Sequence, residues 1–102
     1  MDLVFSKYTG FRLDEPENFK SFKLVLEGFT EGEHPLIEEL DYEGIDHVWV
    51  LPAHVMRFSI SDEWSSRFQI MLENAEKYGW IHPDTRAIKA HIQWQPEITH
   101  LK

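Results

Sequence analysis

The chain predicts an α+β fold: a largely antiparallel sheet, one long amphipathic helix over about residues 62–78 packed on one face, and a short helix near 35–41. Three observations carry this expectation. Strand-like segments fall in groups before and after a single strong helical segment, where an α/β chain would alternate them. Residues 86–94 alternate apolar and polar side chains with the period of two that a half-buried strand requires. Trp64, Phe68, Met71, Leu72, Ala75 and Tyr78 recur at the spacing of one helical face.

Taken in order, residues 2–8 read as a first strand, followed by turn chemistry at Thr9-Gly10 and again from Asp14 to Asn18. Residues 20–27 are a second strand, with Phe22, Leu24 and Leu26 on one face and Ser21, Lys23, Val25 and Glu27 on the other. Residues 28–34 form a loop. Pro35 suits the first position of a short helix through Leu36, Ile37 and Leu40, which Gly44 ends. Residues 47–51 are continuously apolar apart from His47, as expected of a central strand, and Pro52 breaks its ladder. Residues 55–60 read as a fourth strand or a bulged continuation of the third.

The long helix follows. Ser61 or Asp62 can cap it, and Gly79 suits the left-handed residue just past its end. Trp80-Ile81 is a short strand and residues 82–85 a turn. In the last strand Ile88, Ala90, Ile92 and Trp94 face the core, and Lys89, His91 and Gln93 face water. Pro96 ends it. The 102 residues are expected to form one domain, 1–102, with a loose tail at 96–102.

Four Trp and seven Phe supply large core pieces, each stabilising by roughly 1.5–3 kcal/mol when buried. With no cysteine, disulfides, thiol nucleophiles and thiolate metal sites are excluded. The apolar runs are far shorter than a span of about 20 residues, and the start lacks a signal-peptide pattern, so no membrane partner and a cytoplasmic location are expected. A net charge of −8 and scattered Lys and Arg argue against binding nucleic acid.

The charge is unevenly placed. Residues 24–56 hold eight carboxylates and no Lys or Arg. Such a stretch either solubilises the protein or docks a basic partner, and Glu31, Glu33, Glu38, Glu39, Asp41 and Glu43 are the candidate docking residues. Glu31, Glu33 and His34, with Asp46 and His47, are possible metal donors by residue type, but they match no specific ligand spacing. Asp46 and His47 are adjacent, so on a strand they would point to opposite faces and form no dyad. Six histidines are spread along the chain; His54, in the break after Pro52, and His91, on the polar face of the last strand, are the better pocket candidates. There is no G-x-S-x-G, no Gly-rich phosphate loop and no H-E-x-x-H. No cofactor and no metal are therefore expected. The blocks Trp64 to Phe68, Met71-Leu72, Ala75, Tyr78 to Ile81 and Ala90 to Ile92 resemble the C-terminal parts of small bacterial proteins, a resemblance that implies no activity.

Two functions fit. The first is a small acidic, non-enzymatic interaction protein that binds a basic protein partner, for example an immunity or inhibitor protein. The alternative is a small-molecule-binding or catalytic domain built on His54 or His91 with a nearby carboxylate. The oligomeric state is not encoded in any recognisable pattern.

Overall fold

Residues 1–97 are described by the computed structural model. The tail expected at 96–102 lies outside the described residues from 98 onward, as does His100. The strands are β1 Asp2–Ser6, β2 Gly10–Asp14, β3 Lys23–Glu27, β4 Asp41–Glu43, β5 His47–Val50 and β6 Ile88–Gln95; the helices are α1 Pro52–Met56 and α2 Asp62–Lys77. The α+β class holds. All six strands form one sheet in the order β2-β1-β3-β6-β5-β4. The two outer pairs on the β4 side and the β1–β2 hairpin are antiparallel, whereas β1–β3 and β3–β6 are parallel.

Parallel pairing makes β3 the buried middle of the sheet. Leu24, Val25 and Leu26 are all buried, although Val25 points to the face opposite the other two. The alternation read in residues 20–27 therefore sorts the side chains correctly but not their exposure. The strand over 10–14 was hidden by the turn signal at Gly10. Its own alternation is regular, with Arg12 exposed between half-buried Phe11 and Leu13.

α2 forms as its signals require. Ser61 Oγ accepts a hydrogen bond from Trp64 N at 3.0 Å. At the other end Gly79 adopts φ 77°. Its N–H donates to Glu76 O, and Trp80 N–H donates to Ala75 O, so two terminal carbonyls are satisfied. Trp64 and Phe68 are the fully buried residues of the helix. Their rings stack at 5.3 Å and 8° over the face formed by Leu3, Leu24, Leu26, Val48, Val50, Ile88, Ala90 and Ile92. Trp64 Nε1 donates to Pro16 O at 2.7 Å, which ties the β2–β3 connection to the helix.

Two elements differ from expectation. No helix forms over 35–41; residues 33–37 are irregular and 38–39 a turn. The Pro35 carbonyl, an acceptor such a helix would use, instead takes Tyr42 OH at 2.6 Å, and the residue before the segment is tied to the sheet by Trp94 Nε1 donating to Glu33 O at 2.7 Å. The short helix is α1 instead. Pro52 opens it at the first position, and Val55, fully buried, anchors it where a fourth strand was expected over 55–60. The expected strand at Trp80-Ile81 is reduced to one bridge, Ile81 to Ile88. Among the described residues no helix is long and apolar enough to cross a membrane.

α1, α2 and the 28–40 loop lie on one face of the sheet. Among the described residues no helix packs on the other, open face, where Val4 and Val25 are buried beside each other among the polar side chains. The strand register aligns Lys23, His91 and His47 across β3, β6 and β5, and Lys89 beside Trp49 one step along.

Candidate functional site

A cleft arises where β6 changes neighbours. Its first residues pair with Ile81, and Lys89 N–H donates to Trp80 O at 2.9 Å; from His91 onward the same edge pairs with β3. Between residues 19–23 and residues 78–80 the sheet is left unfilled. On the helix side the cleft holds about 320 Å³ and is walled by Phe19, Phe22, Met71, Ala75, Trp80 and Ile88. The C-terminal half of α2, unlike Trp64 and Phe68, is therefore only half-buried on its apolar side. On the open face of the sheet the cleft holds about 650 Å³, and its charged or ionisable walls are Lys20, Lys23, Lys89, His47 and His91, with Tyr78 at the rim. The two halves share Lys20, Ser21, Phe22, Tyr78 and Trp80. Trp80 is 54% exposed and, with Tyr78 at 78%, presents aromatic surface at the mouth of the cleft. No Asp or Glu lines either half among the described residues, in a chain whose net charge is −8.

Across β5 and β6, His47 and His91 are register partners on the open face, with rings perpendicular and 5.1 Å apart. Asp46 precedes β5, so the strand's alternation does not govern it. Its side chain turns onto the same face, and Oδ1 lies 2.8 Å from His47 Nδ1. This corrects the expectation that adjacent residues could not form a pair. Asp46 is held in place by its own carbonyl, which accepts from Ile92 N–H at 2.8 Å. Nearby, Lys89 Nζ is 3.0 Å from Glu43 Oε2, whose other oxygen accepts from Trp49 Nε1 at 2.6 Å. Lys23 Nζ donates to Gln93 Oε1 at 2.8 Å.

The six acidic residues singled out in the sequence are not gathered on one surface. Glu31, Glu33, Glu38 and Glu39 belong to the loop over the core face. Asp41 and Glu43 are strand residues in register with Trp49 and His47, so they project from the open face. Glu33 is occupied locally, accepting from Thr30 N at 2.6 Å and Thr30 Oγ1 at 2.9 Å, and Glu39 lies 3.7 Å from Arg57. Glu31, Glu38 and Asp41 are exposed. His54 is half-buried on α1, away from the cleft. His91 lies in it. Lys20, Lys23 and Lys89 were not singled out, and Asp46 and His47 were considered as metal donors but not as a pair on one face. The shared polar face of Lys89 and His91 was readable, but the partners on β3 and β5 come from register alone.

Four carboxylates are held below the usual glutamate range. Arg12 hydrogen-bonds Glu27, Thr30 N–H bonds Glu33, Lys89 and then Trp49 bond Glu43, and Arg86 bonds Glu76. In each case the folded pKa lies under the unfolded one, so the unfolded chain binds more protons in acid. The stabilisation is present above the unfolded value of roughly 4.3 and is lost as pH falls through the folded values. The melting temperature is expected to fall steadily as pH drops below about 4.3. Glu43→Gln should flatten part of that fall, which melts recorded across the pH series will read.

The fold and site define an α+β domain with an open-faced sheet and a cleft of mixed apolar and cationic lining. Compared with protein-family models, with curated proteins and with solved structures, the chain matches none.

Proposed function

We propose that the protein binds a small organic acid, with an aromatic or branched aliphatic body, in the cleft between residues 19–23 and 78–80. One observation carries the reading: every full charge on the walls is positive, and the cationic half runs directly into an apolar half. A carboxylate beside Lys20 and Lys23 would be held by charge-assisted hydrogen bonds, Lys89 being paired with Glu43. Its hydrocarbon part would cover Trp80 and Phe22 and fill the space beside Met71. Pockets with a mostly apolar lining and a few polar groups that orient the ligand are the common form of small-molecule sites.

Naphthalene-2-carboxylate and its neutral counterpart naphthalene-2-methanol make the test. The acid should shift the Trp80 indole resonance in ¹H–¹⁵N spectra, and the alcohol should bind at least tenfold more weakly, on the order of one charge-assisted hydrogen bond. Lys23→Ala should weaken the acid about tenfold and leave the alcohol unchanged. Equal affinity for acid and alcohol, or no shift at Trp80 with either, would sink the proposal.

A second reading, docking of a basic protein partner by an immunity- or inhibitor-type protein, draws support from Leu36. This residue is 96% exposed in the loop that carries Glu31, Glu33, Glu38 and Glu39. The split of the six acidic residues between two faces favours the cleft over this reading.

A further inference from the structure

We infer that Asp46, His47 and His91 form a binding site for a divalent transition-metal ion of the zinc type, at the end of the cleft on the open face of the sheet. Each residue offers one donor atom, and the three atoms lie within 4.8 Å of one another. Two imidazoles and a carboxylate match the borderline softness of zinc and cobalt, whereas calcium and magnesium prefer all-oxygen sets. Zinc bonds of about 2.0–2.1 Å at tetrahedral angles put donors roughly 3.3 Å apart. Asp46 Oδ1 and His47 Nδ1, 2.8 Å apart, already lie inside that spacing, and no pair of donors has to close by more than about 1.5 Å. Asp46 and His91 are exposed and His47 half-exposed, so side-chain rotation suffices.

The backbone beneath them is set. His47 and His91 are fixed as register partners on adjacent strands, and Ile92 N–H holds the Asp46 carbonyl. Nearby cations are drawn away from the triplet. Lys89 Nζ lies on Glu43 and Lys23 Nζ on Gln93. Three protein ligands leave an open coordination position, as in metal sites that take an exogenous ligand. His47 and His91 both line the cleft, so that position faces it. The inference stands on these three side chains and does not rest on the organic-acid reading.

The test is titration of the full chain with Zn²⁺ by calorimetry and with Co²⁺ by visible absorption. One ion per chain is expected, with the intense d–d bands of a four-coordinate cobalt site. At a hundredfold excess over the dissociation constant, Zn²⁺ should raise the melting temperature by roughly 10 °C or more. His47→Ala and His91→Ala should each weaken binding by more than the 10–100-fold that loss of an outer-shell partner typically costs, and Asp46→Asn by at least about tenfold. His91→Gln keeps a polar side chain of similar size on the strand and should lose the ion equally, so a folding defect cannot mimic the result. His54→Ala should bind as the parent does, and Lys20→Ala should weaken the organic acid while leaving the metal untouched. No saturable ion, or an ion retained undiminished in His47→Ala or His91→Ala, overturns the site.

Discussion

Ile92→Asp is expected to leave no cooperative unfolding transition at pH 7. Ile92 is 2% exposed on β6, in register with Leu24 of β3, and faces the helix-covered side of the sheet. Removing the side chain costs about 2–5 kcal/mol. An aspartate there has no cation or donor to pair with and must be protonated, which at pH 7 costs about 4 kcal/mol more against an ordinary pKa of about 3.9. Together these rival the total stability of a small domain, about 5–15 kcal/mol. The neighbouring change Gln93→Glu puts a charge one residue further along, on the open face. It keeps the Lys23 contact, now as an ion pair, and is expected to move stability by no more than about 0.5 kcal/mol. Circular dichroism melts of the pair decide the matter. If both variants melt alike, the assignment of the two faces of β6 is wrong, and the histidine and lysine cluster with it.

Phe68→Ala is expected to cost about 3–5 kcal/mol, because the ring is fully buried between Trp64 and the sheet and its removal leaves a cavity that the stacked indole cannot fill. Leu72→Ala, one turn further along α2, should cost less than about 2 kcal/mol, below the range for buried leucines, since Leu72 is half-buried near the solvent edge of the helix. Urea titration should show a lowered midpoint with an unchanged slope in both variants. A Leu72 effect as large as that of Phe68 would mean that Leu72 packs tightly on its neighbours Pro52 and Ile81 and that α2 is buried further along its length than its exposure pattern shows.

α2 was legible to within a residue at each end, since its cap, its C-terminal glycine and its periodicity are all local. The core-facing set Ile88, Ala90 and Ile92 was legible for the same reason: side-chain alternation belongs to the backbone geometry of any strand. The two prolines show where local reading stops. Pro35 and Pro52 carry the same helix-opening signal, yet only Pro52 opens a helix. At Pro35 the carbonyl goes to Tyr42 OH and the preceding Glu33 carbonyl to Trp94, 61 positions away on β6, contacts that no local pattern encodes.

The candidate site was legible only in fragments. His91 was read as exposed on the last strand, but its partners His47, Asp46 and Lys23 lie 44, 45 and 68 positions earlier. By itself, then, the sequence determined the helix, the alternating strand, the α+β class and the concentration of acid in its middle third, all consequences of short-range spacing and composition. Only the tertiary structure decided strand order, the parallel middle of the sheet and the cleft. Those depend on which strands become neighbours and in what register. That choice is made by burial of the shared apolar face against Trp64 and Phe68, and the polar residues on the opposite face are carried into contact by it.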